Sequence, residues 1–239
     1  MRLPQLRCHR SNTDLFDLAA PMIWSVASCE RVTKMGSMRM ARFGLLAAVA
    51  LVFMAQTPAG FAASEIAGQF VAVSLPNPTI NRVVICHGFA CKFRTMIAFG
   101  PKDHAELRKI MAKVTSPEAE RAAIARAVAW YEKRIAPEAG TAGAKARSTE
   151  SGDPSQIDCV ESSLNTTSAL LMLQGLGLLR YHRVEPYVSR MLLDLVHFVH
   201  STAVLTDLKT GQKWAMDSWV RNSGEPPDVR PLADWYRGD

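Results

Sequence analysis

The sequence has no collagen-like period, no coiled-coil heptads and no internal repeat, and its composition does not indicate wholesale disorder. Of its 239 residues, 48% are apolar and 21% are charged, which is typical of a globular domain with a substantial core. Fibrous and disordered proteins are therefore excluded, and we expect one folded domain.

Most of the chain also lacks dense basic tracts with interleaved aromatic residues. The formal net charge is +6, from 28 basic and 22 acidic residues. Residues 1–62 hold seven of the basic and three of the acidic residues, which leaves 21 basic and 19 acidic residues in the remainder, a net charge of only +2. A nucleic-acid interface needs a concentrated basic surface, so we expect no nucleic acid among the partners.

A short apolar run near residue 40 has the features of a targeting segment. Two arginines precede the uncharged run 43–55, and small residues follow it. This order of basic, apolar and small-residue regions is that of a secretory signal peptide. The 13-residue run is also too short to span a bilayer, which takes about 20 apolar residues. We predict a signal peptide over 38–63, cleaved after Ala62 or Ala63; a buried core helix or an uncleaved anchor is the alternative.

The predicted signal peptide begins late, whereas such segments normally lie near the start of a chain. We interpret residues 1–37 as a mis-assigned N-terminal extension, with translation starting at Met35, Met38 or Met40. The mature domain is then predicted to span 64–239, to be periplasmic or secreted, and to have no stable membrane span.

Three cysteines remain in the predicted mature domain: Cys86, Cys91 and Cys159. In an oxidising compartment two of them are expected to pair. Cys86 and Cys91 enclose only four residues, and we predict a disulfide between them. Two free thiols, or a metal site that also uses His87 and His104, are the alternatives, although the spacing matches no common zinc pattern and no haem motif. The predicted pairing leaves Cys159 as an unpaired thiol.

Apolar periodicity divides the mature domain into helices and an irregular segment. Apolar residues three and four apart predict one helix over 103–114 and a second over 117–135, capped by Ser116. Residues 137–156 have hardly any large apolar side chain and are expected to form an exposed, mobile loop. The apolar segment 159–175 then predicts a buried helix.

Strand patterns lie on both sides of these helices. Strands and turns are predicted over 70–100 and a strand over 178–184, while 186–196 is expected to be either helical or irregular. Residues 200–206 and 213–219 predict two strands joined by a short turn, which together form a β-hairpin. The expected fold class is α+β, with helices packed on an antiparallel β-sheet.

Cys159, His200 and Asp217 are the candidate catalytic residues. A thiol attacks as its thiolate, and the partial positive charge and free N–H groups of a helix start favour ionisation. Cys159 opens the predicted buried helix, His200 begins one strand of the hairpin, and Asp217 lies on the other strand. The hairpin is expected to join them as a base and its orienting carboxylate. His197 is the alternative to His200.

These segments resemble the transglutaminase-like, papain-related cysteine proteinase superfamily, and are nearest to the bacterial periplasmic transglutaminase-like cysteine proteinases. The resemblance is carried by Asp158-Cys159, by the strand His200-Ser201-Thr202-Ala203-Val204 and by the strand Trp214-Ala215-Met216-Asp217-Ser218-Trp219. It covers roughly residues 156–219, and no family motif anchors 64–150.

The resemblance implies a papain/transglutaminase-like core in which Cys159 is the nucleophile, His200 the general acid/base and Asp217 its orienter. It implies a hydrolase that cleaves an amide or peptide bond through a thioester, with a peptide, a periplasmic protein or a cell-wall peptide as substrate. Gln156 is a candidate for the oxyanion hole, which the Cys159 N–H would otherwise form. A non-catalytic binding or assembly module of the same fold, and a true transglutaminase that transfers the acyl group to an amine, are the alternatives.

The sequence departs from the family directly after the nucleophile. The bacterial proteinases have acidic residues there, whereas here Val160 precedes Glu161. We expect no cofactor other than calcium, for which Asp153 and Asp158 are candidate ligands.

Overall fold

The computed structural model describes residues 58–192 and 198–238, which belong to one compact unit that spans 53–239. The described residues form five helices and six strands. The helices are α1 (Pro58–Ala72), α2 (Pro101–Met111), α3 (Pro117–Ala139), α4 (Cys159–Gly175) and α5 (Leu232–Arg237). The strands are β1 (Arg82–His87), β2 (Phe93–Ala98), β3 (His182–Leu192), β4 (Phe198–Asp207), β5 (Lys213–Asp217) and β6 (Asp228–Pro231).

The strands form two separate antiparallel sheets, so the α+β class with antiparallel sheets is confirmed. β1 and β2 make a two-stranded ribbon, and the other four strands form a sheet in the order β3-β4-β5-β6. Arg190 lies opposite His200 across β3 and β4, and Ala203 lies opposite Met216 across β4 and β5. Each strand of the larger sheet therefore pairs with its neighbour along the chain.

Helix α3 begins as predicted but ends later. Ser116 is its N-cap, and the Ser116 hydroxyl accepts the N–H of Ala119 at 3.1 Å. The helix continues past 135 to Ala139, with Pro137 in its last turn. It ends at Gly140, whose φ of 73° is left-handed and whose N–H bonds the carbonyl of Ala136. The following residues, 140–158, contain no helix or strand, and their mobility stays a prediction.

Two other segment predictions are wrong. Phe70, expected in a strand or turn, lies on α1, where it and Ile66 face the core one helical turn apart. Residues 186–192, expected to be helical or irregular, belong to β3. Pro186 falls within the irregular pairing between Glu185 and Val188, where the missing N–H of a proline is tolerated.

The predictions for the N-terminal part concern residues that are mostly not described. The extension over 1–37, the candidate starts Met35, Met38 and Met40, and residues 38–57 of the signal peptide lie outside the described residues. The predicted cleavage position after Ala62 or Ala63 falls within α1. None of the described helices is both long and apolar enough to cross a membrane.

Helix α4 lies at the centre of the core and packs against β4, β3 and β1. Leu164, Leu170 and Leu173 are almost completely buried, and each such side chain contributes about 2 kcal/mol relative to exposure. The helix also buries hydroxyls, which bond to its own preceding turn: Ser163 Oγ donates to the carbonyl of Cys159 at 2.7 Å, and Ser168 Oγ to that of Leu164 at 3.0 Å. These buried hydroxyls are thereby satisfied within the helix itself.

A buried charged cluster joins α3 to the start of β3. His182 Nδ1 lies 2.8 Å from Glu120 Oε2, and both side chains are completely buried. Arg121 donates to His182 Nε2 at 3.2 Å, which makes Nδ1 the protonated nitrogen. Burial opposes ionisation of Glu120, but the hydrogen bonds from His182 and from the N–H groups of Arg180 and Tyr181 outweigh it and lower the pKa of Glu120. His182 is therefore a structural histidine.

We predict that Glu120→Ala destabilises the fold by about 3 kcal/mol, because it leaves the buried His182 and the partly buried N–H groups of Arg180 and Tyr181 without their acceptor. The free energy of unfolding in urea measures this. Glu118→Ala is the matched control: this exposed residue of the same helix also pairs with Arg121, and its loss should change little. Equal effects of the two substitutions would contradict the role given to the buried cluster.

Candidate active site

Cys159 is the first residue of α4, as predicted, and a capping box fixes the backbone there. Asp158 is the N-cap, and Asp158 Oδ1 accepts the Glu161 N–H at 2.8 Å. Glu161 Oε2 in turn accepts the Asp158 N–H at 2.9 Å. Two N–H groups that the helix leaves unbonded are satisfied in this way.

The Cys159 thiol is buried against β4. Its side chain donates a hydrogen bond to the carbonyl of Val199 at 3.1 Å, and the residue is only 5% exposed. Burial raises the pKa of Cys159 to about 11, and the nearby charge of Asp158 adds to the effect, while the N–H of Ser201 partly opposes it. Desolvation therefore opposes the ionisation of Cys159 that the helix start was expected to favour.

His200 and Asp217 form a buried hydrogen-bonded pair across β4 and β5. His200 Nε2 lies 2.6 Å from Asp217 Oδ2, and both side chains are 3% exposed. The indole N–H of Trp235 donates to the same oxygen at 2.8 Å. With Nε2–H donating to the carboxylate, Nδ1 is the free acceptor of the ring, and it has no hydrogen-bond partner within the described part of the chain.

Two tryptophans enclose the His200 ring. The ring centroid of Trp219 lies 4.9 Å from that of His200, and the centroid of Trp235 lies 5.3 Å away. They restrict the imidazole to the orientation in which Nε2 faces Asp217. The contact of Trp235 with Asp217 joins residues 18 positions apart and was not predicted from the sequence.

The structure brings the three predicted residues to one end of the larger sheet. His200 and Asp217 are directly bonded, whereas Cys159 contacts β4 through Val199 and Ser201, the two residues that flank His200. The thiol points to a backbone carbonyl and makes no hydrogen bond with the His200 ring. The alternative base, His197, lies outside the described residues.

Among the described residues, two cysteines pair and one is free, as predicted from the sequence. The sulfur atoms of Cys86 and Cys91 lie at disulfide distance, and Cys159 is the free cysteine. His87 bonds the carbonyl of Pro154 and the hydroxyl of Thr95.

The other candidate metal ligands make hydrogen bonds within the protein. His104 Nε2 bonds the carbonyl of Ile80 at 2.7 Å. Asp153 accepts from the N–H and hydroxyl of Ser155, and Asp158 accepts from the N–H groups of Ala90 and Glu161. These contacts leave calcium binding by the two aspartates as an untested prediction.

Gln156 does not face the thiol. Its Oε1 accepts the N–H of Lys145 at 3.0 Å, and its Nε2 donates to the carbonyl of Gly143 and the hydroxyl of Ser155. The side chain thus fixes the segment before α4, and the oxyanion-hole candidate that remains is the backbone N–H of Cys159.

No protein-family model, no curated protein and no solved structure matches the chain. The geometry of Cys159, His200 and Asp217 is therefore the basis for assigning a function to this chain.

A small cavity of about 40 Å³ adjoins this site. Its wall includes Trp219, which packs on His200, and Ser162, one turn after Cys159. Glu132 also lines it and accepts the N–H of Gly224 at 2.8 Å. Burial raises the pKa of Glu132 from 4.5 to about 7.

We predict that Glu132→Gln removes part of the pH dependence of stability. Because the pKa of Glu132 is raised on folding, its contribution to stability is fully present below pH 4.5 and is lost as the pH rises to about 7. Gln keeps an acceptor for Gly224 without a charge, so the variant should be roughly 2 kcal/mol more stable than wild type at pH 8 and little changed at pH 4.5.

Urea unfolding at the two pH values measures this difference. Glu138→Gln, at an exposed position of the same helix, is the control and should leave the pH dependence as it is. A Glu132→Gln variant with the full wild-type pH dependence would refute the assignment.

We also predict that Trp235→Phe destabilises the fold by about 2 kcal/mol, because Asp217 loses a hydrogen-bond donor to a buried charge. Thermal unfolding with calorimetry is the measurement. Tyr236→Phe, which changes an adjacent aromatic residue that is 48% exposed, is the matched control and should have little effect. An unchanged stability of the Trp235 variant would show that Asp217 does not depend on the indole.

Proposed function

We propose that this protein is a cysteine hydrolase of the transglutaminase-like superfamily, with a papain/transglutaminase-like core and Cys159, His200 and Asp217 as its catalytic triad. The observation that carries the proposal is the orientation of His200. One ring nitrogen is held by a buried carboxylate, and the other is an acceptor without a partner among the described residues, next to the strand positions that contact the Cys159 thiol.

In the proposed resting state the thiol is protonated and donates to the carbonyl of Val199. During reaction the Cys159 side chain turns toward His200, the thiol proton passes to Nδ1, and the sulfur attacks the carbonyl carbon of an amide. The protonated His200 then delivers this proton to the leaving amine, and a thioester remains on Cys159. Nδ1 then takes a proton from water as the water oxygen attacks the thioester carbonyl. The C–S bond breaks, a carboxylic acid is released, and the proton passes from Nδ1 to the sulfur and restores the thiol.

Asp217 stabilises the imidazolium that forms in this sequence. Its carboxylate accepts the Nε2–H of His200 and lies in a buried site, where the interaction between opposite charges is stronger than in water. The N–H of Trp235 holds the same oxygen and keeps the carboxylate in place. These contacts fix the tautomer that leaves Nδ1 as the base.

We further propose that the protein is exported and acts on a peptide, a periplasmic protein or a cell-wall peptide. The signal-peptide pattern over 38–63 supports export, and the pairing of Cys86 with Cys91 fits an oxidising compartment. The chemistry of Cys159 restricts the substrate to a compound with an amide or other acyl group.

A non-catalytic binding module is the second candidate, and one observation favours it. The Cys159 thiol is buried, its pKa is raised to about 11, and it is satisfied by a backbone carbonyl. A cysteine that packs without reacting has the same features.

The two candidates predict different reactivity of Cys159 toward iodoacetamide. In the resting arrangement the thiol has a pKa of about 11 and would react little at pH 7. For a hydrolase we expect alkylation at pH 7 nonetheless, because the Cys159 side chain turns toward His200 and passes its proton to Nδ1. We expect His200→Ala to slow this alkylation by about 100-fold, since the thiol loses its base. Asp217→Asn should slow it as well. Peptide mass spectrometry of the alkylated protein identifies the label on Cys159.

His104→Ala is the matched control, because His104 bonds a distant backbone carbonyl and should not affect the rate. A thiol that reacts only as the pH approaches 11, or never, with no influence of His200, would refute the hydrolase and support the binding module.

A further inference from the structure

The loop closed by Cys86 and Cys91 has an unusual backbone. Gly88, Phe89, Ala90 and Cys91 have consecutive φ values of 82°, 70°, 52° and 54°, all in the left-handed region. Only the first is a glycine, and each of the other three costs about 1 kcal/mol or more in this conformation. Such a backbone persists only where its surroundings hold it.

What holds the loop is the start of α4. The N–H of Ala90 donates to Asp158 Oδ2, and the N–H of Cys91 donates to Glu161 Oε1, both at 2.8 Å. The N–H of Phe89 also bonds Glu161. Three successive N–H groups of the loop therefore converge on the two carboxylates of the capping box.

Each of these carboxylates joins the loop to the helix. Asp158 uses Oδ1 for the helix N–H of Glu161 and Oδ2 for the loop, while Glu161 uses Oε2 for the Asp158 N–H and Oε1 for the loop. One turn further along, Asn165 makes two hydrogen bonds with the backbone of Cys86, at 3.0 Å and 2.9 Å. The loop is thus bound to α4 at three positions around Cys159.

We propose that the loop Cys86–Cys91, acting through Asp158 and Glu161, is the positioning element of the nucleophile. It fixes where α4 begins and therefore where the Cys159 side chain lies relative to the β4 backbone and His200. Asp158 and Glu161 are positioning residues, since they bond the backbone on either side of Cys159. This inference rests on the proposed hydrolase function.

The test compares wild type, Asp158→Asn and the double variant Cys86→Ser/Cys91→Ser. Asn is as good an N-cap as Asp, so Asp158→Asn keeps the start of α4 but loses the acceptor for Ala90. The readout is the rate of Cys159 alkylation by iodoacetamide, measured between pH 5 and 9. A thiol that passes its proton to His200 reacts at a constant rate over part of this range, which appears as a plateau in the plot of rate against pH. Circular dichroism monitors folding of each variant.

We expect the height of the plateau to fall about ten-fold in both variants, because a small displacement of a reacting group is enough for such a loss. Removing the charge of Asp158 without displacing the thiol would instead shift the pH limits of the plateau and leave its height as it is. Asp207→Asn is the matched control: Asp207 accepts two backbone N–H groups in a turn away from the thiol, and its variant should keep the wild-type plateau.

The outcomes separate the two proposals. If wild type shows the plateau and both variants have the same plateau rate as wild type, the positioning role is overturned and the hydrolase proposal stands. A plateau that falls in Asp158→Asn and not in the folded double variant would overturn the role of the disulfide. Absence of the plateau in wild type would refute the hydrolase, and the positioning role with it. If the double variant does not fold, Asp158→Asn decides.

Discussion

A carboxylate inside a protein must have hydrogen-bond donors, and the arrangement of the larger sheet depends on how Asp217 obtains them. One donor is His200 on the adjacent strand, and the other is Trp235 on α5. The first bond joins β4 to β5 beyond the last backbone pair, Ala203 with Met216. The second brings the C-terminal helix onto that sheet. A single acidic side chain therefore connects two strands and a helix, and it also fixes the ring of the candidate base.

The same burial that strengthens the bond between His200 and Asp217 opposes ionisation of Cys159. In a medium of low polarity an ion pair gains attraction, but a lone thiolate loses its hydration. The Cys159 thiol lies against the carbonyl of Val199 and burial raises its pKa to about 11, so the proposed reaction needs the proton to move to His200 as the sulfur attacks. The proposed catalysis would consequently be linked to rotation of the Cys159 side chain.

The helix start and the hairpin of the site could be predicted from the sequence, whereas the contacts between residues far apart in the chain could not. The start of α4 at Cys159 follows from the apolar run after it, and the hairpin with His200 and Asp217 follows from two short strands around a turn. The contact of Trp235 with Asp217 depends on how the tail packs, for which the sequence has no periodic signal. The pairing of Asp158 and Glu161 was readable as a capping box, but their bonds to Ala90 and Cys91 join residues about 70 positions apart. The burial of the Cys159 thiol likewise emerges only when α4 packs on β4.

The separation of only five positions between Cys86 and Cys91 affects how the chain matures. Closing so small a ring costs little chain entropy, so in the unfolded chain these two thiols meet each other far more often than either meets Cys159, which is 68 positions beyond Cys91. Oxidation can then precede docking of the loop on α4. Among the three cysteines that the structure describes, proximity along the chain thus favours the pairing of Cys86 with Cys91 and leaves Cys159 as the free thiol.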